Sequence, residues 1–446
     1  MLTSLYLKVA RALSNSTMKY ISTRKNNESV SFKEAVINGL SNNGGLYFPE
    51  SIPQLPQAFF NNIEAYSDAA IAFQALKPFV EEDLSNEQLK AIIAETLTFP
   101  TPTVPVEGNM FALELFHGPT QAFKDVGARF MSRCLSQFYA EQHQDVTILV
   151  ATSGDTGSAV ANGFYNVPGV QVKILFPKGK ISPYQEFQMT SLGKNIQAIE
   201  VEGVFDDCQQ LVKQAFNDQE LRKQVTLSSA NSINIARLLP QMLYYFLAYK
   251  QLKPILGDQK LVVSVPSGNL GNLTAGLIAQ QMGLPITHFV AALNANDTFL
   301  QYLNTGSYTA KPSVATYSNA MDVGNPSNFE RIAHLFQNDL SQIKKHVSAF
   351  SINDAATLEE IKHCYAHNNY VLDPHGAVAK LGLAQYNSPN SIGVFLGTAH
   401  PQKFAAVIQK VVPVSYGETV DLSRCKKVSM RNDYEAFKDL IKKKKT

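Results

Sequence analysis

At 446 residues the chain is long enough for two or three domains around a sizeable core, which excludes a minimal fold that needs disulfides or a metal to hold together. Lys and Arg number 39 against 37 Asp and Glu, so the formal charge is only +2, and no basic field argues for nucleic acid or an anionic membrane surface. A small molecule is the expected partner. Cys134, Cys208, Cys364 and Cys425 are scattered with no Cys-x-x-Cys pair, so a reducing, cytoplasmic setting is expected. No apolar run approaches the roughly 18 residues of a membrane span; the longest, Leu238 to Tyr249, contains Pro240 and Gln241.

Residues 1–17 carry Lys8 and Arg11 but no acid, and set Leu2, Leu5, Val9 and Leu13 at roughly helical spacing, as in a short transit peptide. Met18 opens a more protein-like stretch, and an extended or alternative start is the better reading of this extension. From Phe32 to about Leu97 helical patterns are broken by Gly44-Gly45, Pro49, Pro53 and Pro56, which predicts a helical N-terminal region over 18–100. After Pro100, Pro102 and Pro105 the rhythm changes. Strand-length apolar runs at Phe111 to Leu115, Val146 to Ala151, Val170 to Phe176, Ile196 to Val201, Leu261 to Val265, His288 to Leu293 and Ile392 to Leu396 alternate with helix-length segments. The helices include Val126 to His143, Phe205 to Phe216, Ile233 to Gln251 and Leu273 to Met282. This is the βαβ pattern of an α/β protein with doubly wound, mostly parallel sheets. A larger domain over 101–125 and 256–425, a smaller one over 126–255, and a basic C-terminal tail over 426–446 ending in the Lys442 to Lys445 run are expected.

Ligands of such folds gather at the carboxyl ends of strands, and three loops follow strands directly. Val146 to Ala151 leads into Thr152-Ser153-Gly154-Asp155-Thr156-Gly157 and a helix expected near Ser158. Leu261 to Val265 leads into Pro266-Ser267-Gly268-Asn269-Leu270-Gly271-Asn272 and an apolar helix. Both are cradles for an anion, built from glycine backbone, hydroxyls and a helix N-terminus. The second lacks the lysine of a Walker loop and the third glycine of a dinucleotide fingerprint, so neither ATP nor NAD is indicated. Ile392 to Leu396 leads into Gly397-Thr398-Ala399-His400-Pro401, where proline suits the start of a helix.

Upstream, Phe116-His117-Gly118-Pro119-Thr120-Gln121-Ala122-Phe123-Lys124-Asp125 joins a strand to a helix. Lys124 stands at the mouth of the sheet beside apolar Phe123, where desolvation and the helix dipole both disfavour its charged form. Together with two anion cradles, this points to a lysine that forms a Schiff base with pyridoxal 5'-phosphate.

The chain resembles the threonine synthases, pyridoxal-phosphate enzymes of fold type II, from about Met18 to Phe404. The resemblance is carried by Met18-Lys19-Tyr20-Ile21-Ser22-Thr23-Arg24, Asn43-Gly44-Gly45-Leu46-Tyr47-Phe48-Pro49-Glu50, the His117 to Asp125 segment, Thr152 to Gly157, Asn231-Ser232-Ile233-Asn234 with Arg237, Pro266 to Asn272, Asp322 to Arg331, and Gly397 to Pro401. It implies that Lys124 carries the cofactor and shuttles protons, with Phe123 and Ser267 alongside. It further implies that Gly268, Asn269, Leu270, Gly271 and Asn272 hold the cofactor phosphate and that Thr398 meets the pyridine nitrogen. Thr152, Ser153, Asp155 and Thr156 would face the cofactor oxygen and the substrate carboxylate. Asn231, Ser232 and Arg237 would take the substrate phosphate, for which a guanidinium is the right group. The implied reaction turns O-phospho-L-homoserine and water into L-threonine and phosphate, in a monomer or homodimer. A hydroxyl at Thr398 leaves the pyridine nitrogen without a carboxylate partner, which suits a carbanion relieved by elimination. The chain departs from the family pattern at Leu270, where Phe is common, at Lys25, where Gly is common, and in residues 1–17.

Two further patterns compete for attention. His363 and His367 lie at i, i+4, but Cys364 occupies the position where a zinc protease needs Glu, and no metal is expected. Asp373-Pro374-His375-Gly376 reads as a turn before a helix, with no Ser or Cys nucleophile signature to make it catalytic. Alternative functions are a phospho-lyase that adds no water at Cβ, and a non-catalytic binder of phosphorylated amino acids, against which the intact Lys124, both glycine loops and Thr398 argue.

Overall fold

A computed structural model describes residues 18–25, 27–140, 145–416 and 420–443. The extension 1–17 and the last lysines of the basic run lie outside the described residues. Strands β1 (Tyr20–Ser22), β2 (Ser29–Val30) and β3 (Tyr47–Pro49) form a small antiparallel sheet in the order β2-β1-β3. The N-terminal region is therefore helical only in part: helices Phe32–Asn38, Asp68–Val80 and Asn86–Thr96 are present, but the strands between them are too short to leave a period in the sequence.

Beyond them follow β4 (Thr103–Glu107), β5 (Met110–Glu114), β6 (Val146–Ala151), β7 (Val170–Pro177), β8 (Ile196–Glu202), β9 (Thr226–Ser229), β10 (Lys260–Pro266), β11 (His288–Leu293), β12 (Val347–Ser351), β13 (Ser391–Gly397) and β14 (Lys427–Arg431). A six-stranded sheet runs β12-β11-β10-β13-β5-β4, parallel except for the antiparallel β4–β5 pair. A five-stranded sheet runs β14-β8-β7-β6-β9 and is parallel throughout.

Both faces of each sheet are covered, which is why the central strands read as mostly apolar runs. Along β6, Val146, Ile148 and Val150 point into a central core with Phe130 and Phe138, while Leu149 and Ala151 point into a second core under helix Phe205–Asn217. Along β10 and β11, Val263, Val265, Phe289 and Ala291 join the central core, and Val262, Val290 and Ala292 a third one under helix Pro374–Tyr386. Phe48 and Phe79 extend the central core into the N-terminal region, so that region packs on both sheets' shared interior.

Two expectations are corrected. Within the segment expected as a tail over 426–446, residues 426–443 are packed: β14 pairs with β8, Lys427 opposite Ala198, and helix Tyr434–Lys442 buries Phe437 and Ile441. Lys427 itself sits 2.6 Å from both Glu186 and Glu200. The lysine content of this segment masked one apolar helix face, Phe437 and Ile441 being one turn apart. The helix expected from Ile233 to Gln251 is split into helix Ile235–Leu238, a 3₁₀ turn Leu239–Gln241 and helix Met242–Leu256, because Pro240 offers no N–H and its ring crowds the preceding turn. No described helix is long and apolar enough to cross a membrane.

Candidate active site

Lys124 stands at the end of the loop that leaves β5, and this loop is stitched to the exit of β13. Leu115 N donates to Gly397 O at 2.9 Å, Phe123 N to Thr398 O at 2.9 Å, and His400 N to Gln121 O at 3.1 Å. Buried Asp125 accepts from Thr120 N at 2.9 Å and Thr120 Oγ1 at 2.5 Å, and Tyr244 OH donates to Phe123 O. Lys124 is itself the first residue of helix Lys124–Ala140. Its Nζ lies 3.9 Å from Asp155 Oδ2 and 5.1 Å from the centre of the Phe123 ring, and 17% of the side chain stays exposed to the cleft. Burial lowers its pKa to about 8; Asp155 opposes the shift, while the cations of Lys403 and Arg237 reinforce it. At neutral pH a small but usable fraction of the amine is therefore neutral, far more than for a solvated lysine.

After β6, Thr152 Oγ1 accepts from Gly154 N and Gly157 N, both at 2.9 Å, so this hydroxyl is committed to its own loop and is not turned to a ligand as expected. Gly154 has φ +142°, a conformation that side chains rarely tolerate. Helix Asp155–Gly163 begins three residues before the expected start near Ser158, bringing Asp155 into its first turn, with no side chain capping it and with Ser153 and Thr156 half-buried beside it. Asp155 Oδ1 meets Lys403 Nζ at 2.6 Å and Gln185 Nε2 at 2.9 Å. Burial alone would raise this carboxyl, but Lys403 and Lys124 hold it well below the usual carboxylate range.

After β10, Ser267 Oγ donates to Val265 O at 2.9 Å. A Cβ at Gly268 would meet Met321 Cα at 2.6 Å, so only glycine lets the backbone lie this close. Leu270 is left-handed at φ 58° and precedes helix Gly271–Gln281, whose N-terminus no side chain caps. Asn269 reaches Ser232 Oγ and Ser327 N, each at 2.5 Å, tying this loop to the Asn231-Ser232 segment. Asn272 turns its side chain into the core, accepting from Tyr245 OH and donating to Gln241 Oε1 at 3.1 Å, which leaves only its backbone, at the helix N-terminus, for an anion. Arg237 is 3% exposed and donates through Nη1 to Ala230 O, while its Nε has no partner; Asn231 Oδ1 is likewise buried without one. Burial lowers Arg237 to about 10, which leaves it charged at neutral pH.

Sequence reasoning missed four supports of this site. Lys403, Gln185 and Tyr244 are described above. The fourth, Arg331, is fully buried and donates to Tyr47 O at 2.8 Å, Ile233 O at 2.7 Å and Asn328 Oδ1 at 2.8 Å, joining the N-terminal region to the two loops. Its neighbour Glu330 pairs with Arg24 at 2.6 Å and accepts from Thr23 Oγ1. The signal for both Glu330 and Arg331 lies in the Asp322 to Arg331 motif. Beside the Asp155–Lys403 pair lies a cavity of about 580 Å³ lined by Gln185, Asn319, Gln402, Lys403 and Tyr416 among others. Lys124 does not line it; the cavity touches the reaction centre only through Gln185 and Lys403.

Asp373 caps helix Pro374–Tyr386 by accepting from His375 N and Gly376 N, and His375 Nε2 accepts from Ala320 N, so this turn braces the segment packed on Gly268. His367 Nδ1 bonds to His363 O, and no group of three His, Cys, Asp or Glu among the described residues is arranged around a metal.

These residues fit pyridoxal phosphate: a buried amine that deprotonates readily, an uncapped helix N-terminus behind a glycine loop, and Thr398 on the strand exit bonded to Phe123. Residues 94–394 match the family of pyridoxal-phosphate-dependent enzymes. With its two helix-covered parallel sheets, the chain is a pyridoxal-phosphate enzyme of fold type II. Residues 19–97 match the threonine synthase N terminus. The chain is 44% identical to the threonine synthase of Escherichia coli, over 91% of this chain and 93% of that one. It resembles the pyridoxal-phosphate-bound threonine synthase structure from Brucella melitensis with a TM-score of 0.89 at 33% identity, covering 95% of this chain and 99% of that one. The yeast threonine synthase structure matches with a TM-score of 0.87 at 34% identity, over 96% and 99%. The chain belongs to the threonine synthase family.

Proposed function

We propose that the chain converts O-phospho-L-homoserine and water into L-threonine and phosphate, with Lys124 as the cofactor-bearing and proton-transferring residue. One observation carries this reading: a buried amine whose pKa burial lowers to about 8 and a buried guanidinium with an unpartnered Nε lie near enough for their charges to interact. When bound, pyridoxal phosphate supplies an electron sink joined to the substrate nitrogen, which acidifies the proton on Cα. Lys124 Nζ takes that proton and then one from Cβ, within the range where a general base works best at neutral pH. Arg237, with Ser232 and Asn231, holds the substrate phosphate as its bond to Cγ breaks. Cγ gains one proton to become a methyl group, the hydroxyl of water bonds to Cβ while its remaining proton goes to the released phosphate, and Cα is protonated again.

Gly268, Asn269, Leu270, Gly271 and the backbone of Asn272 hold the cofactor phosphate at the helix N-terminus, where the dipole favours an anion. Thr398 would meet the pyridine nitrogen, Phe123 and Ser267 would help hold the cofactor, and Ser153, Asp155 and Thr156 would face the cofactor oxygen and the substrate carboxylate. The proposal takes the two sheets as a larger and a smaller domain and the cytoplasm as the compartment, the latter supported by four free cysteines. The test is product analysis from phosphohomoserine. Threonine and phosphate in equal amounts, both lost in Lys124→Ala, are expected; a 2-keto acid in place of threonine would replace this reading with the phospho-lyase.

A further inference from the structure

Lys403 takes no part in the reaction as derived above, yet it is the most deeply placed cation near the reacting amine. It lies on the 3₁₀ turn Pro401–Phe404 just beyond β13, with its side chain wholly out of solvent. Its Nζ makes two short contacts, 2.6 Å to Asp155 Oδ1 and 2.8 Å to Thr120 O. The first ties the larger sheet's exit to the first helical turn after β6. The second holds the loop that carries Lys124, whose Thr120 is also fixed by Asp125 and by Gln188.

Lys403 and Lys124 thus share one carboxylate, and they share it unequally. Lys403 has a full charge-assisted contact, whereas Lys124 stands 3.9 Å away, beyond hydrogen-bond distance. A buried carboxylate with a single lysine for partner would close on it and hold it protonated. We propose that Lys403 is a positioning residue which engages Asp155 and keeps it from closing on Lys124, so that Lys124 is free to act as a neutral amine. The charged and titratable groups around this pair agree with that role. Arg237 adds a further repulsive cation toward Lys124, and buried Asp125 and the His400 ring, which burial makes harder to charge, face Lys403.

The inference rests on Lys124 being the cofactor lysine, but its test does not depend on which substrate is used. The cofactor is stripped from the protein, and the rate of pyridoxal phosphate capture is followed by visible absorbance as a function of pH. In the parent, capture should rise with pH to a midpoint near 8. Lys403→Met should move the midpoint upward by at least one pH unit and slow capture at pH 7 at least tenfold, because tenfold less amine is neutral. Lys403→Arg should keep the parent midpoint. Should the methionine variant not fold, Lys403→Gln, which stays polar but loses both the charge and the reach of the lysine, is expected to shift the midpoint upward as well. An unchanged or lowered midpoint in a folded, uncharged variant overturns the proposal and leaves Lys403 a structural ion pair. A shifted midpoint in a protein that makes no threonine upholds this inference while removing the proposed reaction.

Discussion

Replacing Arg237 by leucine sets stability and catalysis against each other. The guanidinium is 3% exposed, its partner is the Ala230 carbonyl, and its Nε is unpaired, so in the absence of ligand the fold carries a poorly compensated buried charge. Exchanging such a charge for an apolar side chain of similar bulk is neutral or stabilising, here by about 0 to 2 kcal/mol. The same exchange deprives the substrate phosphate of a charge-assisted contact inside a closed site, a loss of about 3 kcal/mol, or roughly a hundredfold in kcat/KM. Arg237→Leu is therefore expected to unfold at the same or higher urea concentration, to keep its pyridoxal absorbance, and to turn over phosphohomoserine about a hundred times less efficiently. Arg237→Lys should recover part of the loss, having the charge without the planar fork. Urea titration and steady-state kinetics on the two variants decide the matter. A destabilisation of about 2 kcal/mol with normal kcat/KM would show that the guanidinium props the fold and does not bind phosphate, and loss of the cofactor band would show that it serves the cofactor's phosphate instead.

Two further outcomes follow from buried groups. Because the folded-state pKa of Lys124 is about 8 against an ordinary value near 10.5, protonating it costs stability, and that cost is fully present below pH 8 and fades as pH rises toward 10.5. Cofactor-free Lys124→Met should therefore be more stable than the parent by up to about 3 kcal/mol at pH 7 and by little at pH 10.5; an equal gain at both, measured by denaturant titration, contradicts the depressed pKa. Phe437→Ala empties a fully buried site under the five-stranded sheet and should cost about 3 kcal/mol by the same measurement, whereas a residue on a solvated tail would show no change.

The parts of the fold that could be read in advance were those whose cause is local. β6, β10, β11 and β13 lie between two helical layers and so are mostly apolar on both faces, with polar residues such as Thr147 and Ser264 as single exceptions. β14 is an edge strand with alternating exposure over Lys427–Arg431, and β1 to β3 are two or three residues long, so neither presents a run to recognise. The site divides along the same line. Gly268 and Thr398 follow strands directly and Lys124 ends the loop between a strand and a helix, and a strand followed by a polar, glycine-rich loop has a limited set of meanings. Lys403 and Arg331 take their meaning from partners distant in sequence, Asp155 for one and Tyr47 and Ile233 for the other, and a lone cation in a sequence does not disclose its partner. The direction of a side chain is equally hidden: Asn272 and Thr152 occupy the expected loops but spend their polar atoms on Tyr245, Gln241 and nearby backbone.

The place of β13 between β10 and β5 bears on how the protein is made. During synthesis β5 and the Lys124 loop leave the ribosome early, but the backbone partners of that loop, Gly397 and Thr398, and the ammonium of Lys403 arrive only after most of the chain. Until then Lys124 is an ordinary solvated lysine, mostly protonated at cellular pH and slow to react with aldehydes. Strand pairing across such sequence separations also forms late and slowly. The amine of the unfinished chain is thereby far less often neutral, and so less reactive toward carbonyl compounds, than the amine that both sheets enclose.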